Sequence, residues 1–175
     1  RKADTMENVI YAKYSRERRK DFQISTYILE NENGEKSVVK MALYPEKPGH
    51  VLAMAENYEK LRKMYQGVPL QVCPCEKRDE KSVRFPYIEG QNMDQFLTKH
   101  IEAKEYEKVK SDIRFLWDIL STQPGLTNFR TSEQFEKIFG KMEIDSELLA
   151  SPVSNLDFVF SNILVGEEYV LTDYE

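Results

Sequence analysis

Residues 154–175, SNLDFVFSNILVGEEYVLTDYE, constrain the chain more than any other stretch. Ile163, Leu164 and Val165 predict one strand, residues 169–172 predict its partner, and Gly166-Glu167 supplies the turn between them. A hairpin of this kind places Asn162 and Asp173 side by side at its open end, with Asp157 on the loop leading in. Two carboxylates and an amide oxygen converging there suit a hard divalent cation, which takes oxygen ligands. They also suit the positioning of a hydroxyl for phosphoryl transfer. The plainer alternative is a surface hairpin with solvated acids, and the rest of the chain has to decide.

Upstream, residues 7–14 have strand composition and are followed by the basic run Arg16-Glu17-Arg18-Arg19-Lys20. Residues 22–29 alternate, with Phe22, Ile24, Thr26 and Ile28 on one face. Asn33-Gly34 is a hairpin turn signal, and residues 37–43 form a third strand. A loop with two prolines covers residues 44–49. Residues 50–66 then carry apolar side chains at helical spacing (Val51, Met54, Ala55, Tyr58, Leu61, Met64, Tyr65), and Gly67 closes that helix. Residues 69–75 and 82–88 predict two more strands around a charged turn at 76–81. The expectation is a five-stranded antiparallel sheet with one helix inserted after the third strand.

Glu89-Gly90-Gln91-Asn92 breaks the pattern, and Asn92 is a good N-cap for a helix over 93–100. A long helix over about 102–121 places Tyr106, Val109, Ile113, Leu116, Trp117 and Leu120 on one face. Thr131 with Gln134 predicts a capping box for a helix through Phe139, stopped by Gly140. Residues 142–150 are acidic and poorly periodic, hence a short helix or loop.

At 175 residues, 41% hydrophobic and 31% charged, the chain can build one domain or two small lobes. A net charge of −5 gives no nucleic-acid footprint. There is no apolar run of membrane-spanning length and no signal peptide, so a cytoplasmic protein without a membrane span is expected. Cys73 and Cys75 would need two further ligands to hold a metal, and His50 and His100 are the only histidines. Two free thiols are the preferred reading. The start at Arg1 and the end at Glu175 suggest part of a larger chain.

The pattern D-x-x-x-x-N, apolar hairpin, D-Y-E resembles the catalytic loop and metal motif of the protein-kinase-like superfamily. It is closer to the aminoglycoside/choline-kinase branch, where D-x-E or D-x-D replaces D-F-G. The resemblance implies an α+β, bilobal kinase-like fold, with a β-rich small lobe over 1–88 and a helical large lobe over 89–175, incomplete at its C-terminus. It implies ATP and Mg2+ as cofactors and a small-molecule or carbohydrate hydroxyl as acceptor. Asp157 would be the catalytic base, Asn162 and Asp173 would hold magnesium, and Glu175 would have a supporting role. Lys40 resembles the strand lysine that contacts the nucleotide phosphates. Glu56 resembles the helix glutamate that pairs with it, with Glu59 as a competing choice. Phe85-Pro86-Tyr87-Ile88-Glu89-Gly90 resembles the hinge between lobes, so Tyr87, Ile88 and Glu89 would border the adenine.

The chain departs from that pattern in three places. The loop between the first two strands has no glycine; its basic residues are either phosphate ligands through their side chains or a solvated turn. No histidine precedes Asp157, where Ser154, Asn155 and Leu156 stand. The helices that normally follow the metal motif are not in the sequence. Ala42-Leu43-Tyr44-Pro45 is also similar to kinase-like segments of bacterial cell-surface polysaccharide enzymes such as glycosyltransferases. The alternatives are therefore a degenerate binding or regulatory module of a larger protein, and an unrelated α+β domain with surface acids.

Overall fold

The alternating N-terminal strands and the Asn-Gly turn set the first layer. The computed structural model describes residues 6–145 and 147–174. Strands β1 (Glu7–Ser15), β2 (Ile24–Asn31) and β3 (Lys36–Ala42) form an antiparallel meander. At the β2–β3 turn, Asn31 Oδ1 accepts the N–H groups of Asn33 and Glu35 at 2.9 and 3.0 Å, while Gly34 takes φ +77°. The asparagine side chain thus satisfies turn donors, and glycine supplies the left-handed residue.

Helix α1 (Gly49–Met64) follows, then short strands β4 (Leu70–Val72), β5 (Glu76–Asp79) and β6 (Ser82–Pro86). The first sheet is five-stranded and antiparallel, in the order β1-β2-β3-β6-β5. One expected strand differs. Of residues 69–75, only 70–72 are extended; they leave this sheet, and the expected turn at 76–81 supplies β5 instead. Pro69 and Pro74 lack the N–H groups that would carry a ladder past the segment's ends. Leu70 and Val72 are buried, whereas all of β5 is exposed. A charged strand at an edge discourages further pairing, which suits β5 to its position.

The second half contributes β7 (Gln91–Asn92), α2 (Met93–Glu102), α3 (Tyr106–Ser121), β8 (Thr127–Asn128), α4 (Glu133–Phe139), β9 (Leu149–Ala150), β10 (Ile163–Val165) and β11 (Tyr169–Leu171). The second sheet has the order β4-β11-β10-β7, with β4 parallel to β11. A strand from the first half therefore pairs with one from the last residues, across the expected boundary at 88/89. One apolar core runs through both parts, from Met54 and Val83 to Met93, Ile163 and Leu171. The described residues form an α+β fold with four α-helices, none long and apolar enough to cross a membrane.

Helix ends follow local chemistry. Asn92 Oδ1 accepts the N–H of Gln95 at 2.8 Å and caps α2. The cap of α4 is Ser132, accepting from Phe135 at 3.1 Å, rather than Thr131, which donates to Glu136. Residues 142–150 contain no helix among the described residues; β9 pairs with β8 there. In α3 the buried positions are Val109, Asp112, Leu116 and Ile119, while Trp117 is 67% exposed. The apolar residues of α3 spread over two adjoining stripes, and packing selects the one around Asp112, which receives the Tyr169 hydroxyl at 3.3 Å.

Tyr174 joins the layers. It is 2% exposed, its hydroxyl donates to the Cys73 carbonyl, and its ring meets Phe85 edge-on at 5.9 Å. Asn57 Nδ2 of α1 donates to the Tyr174 carbonyl at 3.5 Å. Tyr174→Ala is expected to lower stability by about 3–5 kcal/mol. Tyr174→Phe, which orphans the Cys73 carbonyl, should cost about 1–3 kcal/mol in urea unfolding.

Candidate functional site

The hairpin register Ile163↔Leu171 brings Asn162 opposite Thr172. The Thr172 N–H and Oγ1 both donate to the Asn162 carbonyl, at 2.8 and 3.0 Å. Ahead of the hairpin the chain makes a 3-10 turn at Phe160–Asn162. Asn162 Nδ2 and the Val159 N–H both donate to the Asp157 carbonyl, at 3.0 and 2.8 Å. Asn155 Oδ1 accepts the Asp157 N–H at 3.1 Å, and Asn155 Nδ2 donates to the Asp173 carbonyl at 3.2 Å. The backbone segments bearing Asp157, Asn162 and Asp173 are thus hydrogen-bonded to one another.

Lys40 reaches this constellation from the first sheet. On β3, Val38, Lys40 and Ala42 share a face, and Val38 and Ala42 contribute to the main core. Lys40 Nζ donates to Asp173 Oδ1 at 2.8 Å and lies 5.8 Å from the centre of the Phe85 ring. The lysine side chain is 9% exposed and the aspartate side chain 35%. A buried ammonium requires a compensating charge, and Asp173 provides one while remaining in contact with solvent.

Glu56 takes a different place. It is exposed on α1 and forms no ion pair among the described residues, whereas Asp173 does bring a carboxylate to Lys40. Glu56 follows buried Met54 by two positions, about 200° around the helix, so it turns away from the core. Glu59 is also exposed and pairs with Arg62 at 2.9 Å.

A cleft of about 190 Å³ opens beside Lys40, between the first sheet (Val38, Phe85) and the hairpin (Leu164, Thr172). Tyr87 and Ile88 line it, as do Cys73 and Pro86. The Tyr87 N–H donates to the Lys36 carbonyl at 3.4 Å, and the N–H of Ile88 has no partner among the described residues. Glu89 does not line the cleft; its carboxylate pairs with Lys36 at 3.4 Å and is 76% exposed. The volume falls below the about 300–1,000 Å³ typical of drug-sized pockets. A larger groove of about 520 Å³ runs between α3 and residues 147–154, lined by Trp117, Leu120 and Leu148, but contains none of Lys40, Asp157, Asn162 or Asp173.

The basic loop is fastened down. Gln23 Nε2 donates to the carbonyls of Arg16 and Arg18 at 2.9 and 2.6 Å. Asp21 pairs with Lys47, and the Phe22 ring lies 5.0 Å from that of His50 at the start of α1. Arg16 and Arg19 lie over the rings of Tyr14 and Phe22. All five residues of the basic run are exposed.

The hairpin carries oxygen donors of the type that magnesium takes. Mg2+ commonly takes one or two protein oxygens and fills its octahedron with water and phosphate oxygens. Asn162 commits Nδ2 to the Asp157 carbonyl, so Oδ1 is the side-chain atom that could serve as a ligand, beside the Asp173 carboxylate. No group of three or more His, Cys, Asp or Glu residues capable of holding a metal exists among the described residues. Cys73 and Cys75 are free, and burial pushes their thiols up to about 11 and about 12, so neither is a ready thiolate ligand at neutral pH.

Sequence reasoning named Lys40, Asp157, Asn162 and Asp173, and the structure joins them through backbone and side-chain hydrogen bonds. It missed Asn155, whose signal was its place two residues before Asp157, and it missed Thr172 and Cys73 in the cleft wall. Glu175 lies outside the described residues. No family model matches the chain, and neither a curated protein nor a solved structure matches it.

Asp173→Asn removes the charge facing a nearly buried ammonium. It is expected to lower stability by about 1–3 kcal/mol in urea unfolding, below the about 3–5 kcal/mol of a fully buried pair because Asp173 meets water. The thiols give a pH prediction. The unfolded chain loses their protons near pH 9 and the folded chain only near 11 to 12, so stability is retained below pH 9 and falls as pH rises above it. The urea midpoint should drop between pH 9 and 11, and the Cys73→Ala/Cys75→Ala double variant should flatten that drop.

Proposed function

We propose that this chain is a bilobal, kinase-like phosphotransferase module that uses Mg-ATP to phosphorylate a hydroxyl of a small molecule or sugar. The observation that carries the proposal is the Lys40–Asp173 contact at 2.8 Å, bridging 133 positions, with Lys40 in the wall of a narrow apolar cleft. An ammonium beside a metal-competent carboxylate matches the charge pattern of a triphosphate with its cation. The first sheet and α1 form the small lobe, and the helices with the hairpin form the large one. A cytoplasmic setting, with ATP at hand and thiols reduced, accords with this reading.

In this reading the base enters between Val38 and Leu164, and the Ile88 N–H donates to its edge. Lys40 holds phosphate oxygens. Asn162 Oδ1 and the Asp173 carboxylate would hold magnesium, which would supply charge neutralisation for the phosphates. Asp157 orients the acceptor hydroxyl and takes its proton. Such catalysis is mainly positioning and fixed electrostatics. A second reading, a degenerate binding or regulatory module of a larger glycosyltransferase-type protein, is favoured by the fastened basic loop, where the family has mobile glycines.

A ligand at one hundred times its Kd stabilises by about 2.7 kcal/mol. Saturating Mg-ATP should therefore raise Tm by about 5–10 °C. Lys40→Ala and Asp173→Ala should abolish the shift, and a wild-type chain with no shift at millimolar Mg-ATP contradicts the proposal. Asp157→Ala should keep the shift while losing about 100-fold or more in ATP turnover. Binding without turnover in the wild type would instead select the module reading.

A further inference from the structure

We propose that Asn155 is a positioning residue: one amide that holds Asp157 and Asp173 in a single constellation. Its catalytic consequence rests on the function proposed above; the clamp itself does not. Asn155 Oδ1 accepts the Asp157 N–H at 3.1 Å, and Nδ2 donates to the Asp173 carbonyl 18 positions away at 3.2 Å. An amide offers acceptor and donor on one rigid plane, which neither a carboxylate nor an aliphatic side chain does. The two contacts divide the task. The acceptor arm turns the chain at 155–157 and sets the direction in which Asp157 leaves the loop. The donor arm fixes the peptide after Asp173, and so the carboxylate's bearing on Lys40.

Asn162 cannot replace this link. Its side chain bonds within the loop, to the Asp157 carbonyl, and its backbone carbonyl meets Thr172 rather than Asp173. Among the described residues, Asn155 alone bonds both to the Asp157 backbone and to the Asp173 backbone. It is one of the three residues that precede Asp157 where the sequence has no histidine, so that departure does not leave the loop untethered.

The test uses Asn155→Asp, which keeps the acceptor and removes the donor, and Asn155→Ala, which removes both. Without ligand, exchange of the Asp157 amide should stay near wild type in Asn155→Asp and accelerate by about 10-fold or more in Asn155→Ala. With Mg-ATP, both variants should need about 10-fold more Mg2+ for half-saturation and lose about 10–100-fold in turnover, as for other groups that orient metal ligands. The nucleotide KM at saturating Mg2+ should stay within about 3-fold of wild type, since Asn155 is not part of the cleft wall. A lower Tm with an unchanged Mg2+ requirement would mark Asn155 as merely structural and overturn the inference. If wild type neither binds nor turns over Mg-ATP, the proposed function falls. The exchange of the Asp157 amide then decides the clamp: faster exchange in Asn155→Ala supports it, unchanged exchange refutes it.

Discussion

A lysine ammonium that is nearly buried imposes a requirement on everything around it. Lys40 sits on a central strand, and taking its charge out of water is tolerable only if a negative group follows it inside. That group arrives from the far end of the described chain as Asp173. The hairpin must therefore lie against the first sheet, and β4 must cross to β11 to complete the second one. Tyr174, one residue on, fills the space between Phe85, Asn57 and Cys73, so the charge pair and the apolar packing reinforce each other.

The cleft follows from the same arrangement. Two sheets meet through a shared core, and Tyr87 and Ile88 of the connection between them line the gap at one edge. Apolar side chains from both sides line the gap, and the charged groups lie along one border. Such a cavity is narrow, with Lys40 and Thr172 among otherwise mostly apolar walls. A planar ring and an anionic group are what the proposed function would place there, the anionic group next to Lys40.

The local pattern of the chain carried most of the fold. Alternation gave β2, Asn33-Gly34 gave the first hairpin, Asn92 gave the start of α2, and the short apolar runs around Gly166 gave the last hairpin. What was not legible depended on contacts between distant residues. Nothing local says that Leu70 and Val72 pair with Tyr169–Leu171 rather than with the neighbouring strands. Likewise, α3 has two apolar stripes, and only packing chooses between them. Spacing predicted that Asp157, Asn162 and Asp173 lie together, and they do, because a short hairpin leaves little freedom in where they lie. The partner of Lys40 was harder, since Glu56 and Glu59 sit at plausible distances along α1 and only the helix's rotation turns both away. Asn155 passed unnoticed because an asparagine in a loop has many ordinary uses, and its bridging role exists only once Asp173 is beside it.

The central claim is that the cleft beside Lys40 and Asp173 is a nucleotide site. A crystal structure with Mg2+ and a non-hydrolysable ATP analogue tests it most directly. The account predicts the base between Val38 and Leu164, phosphate oxygens on Lys40, and the cation on Asn162 and Asp173. An analogue seated in the groove beside Trp117, or a soaked crystal in which the Lys40–Asp173 contact persists beside an empty cleft, would contradict it.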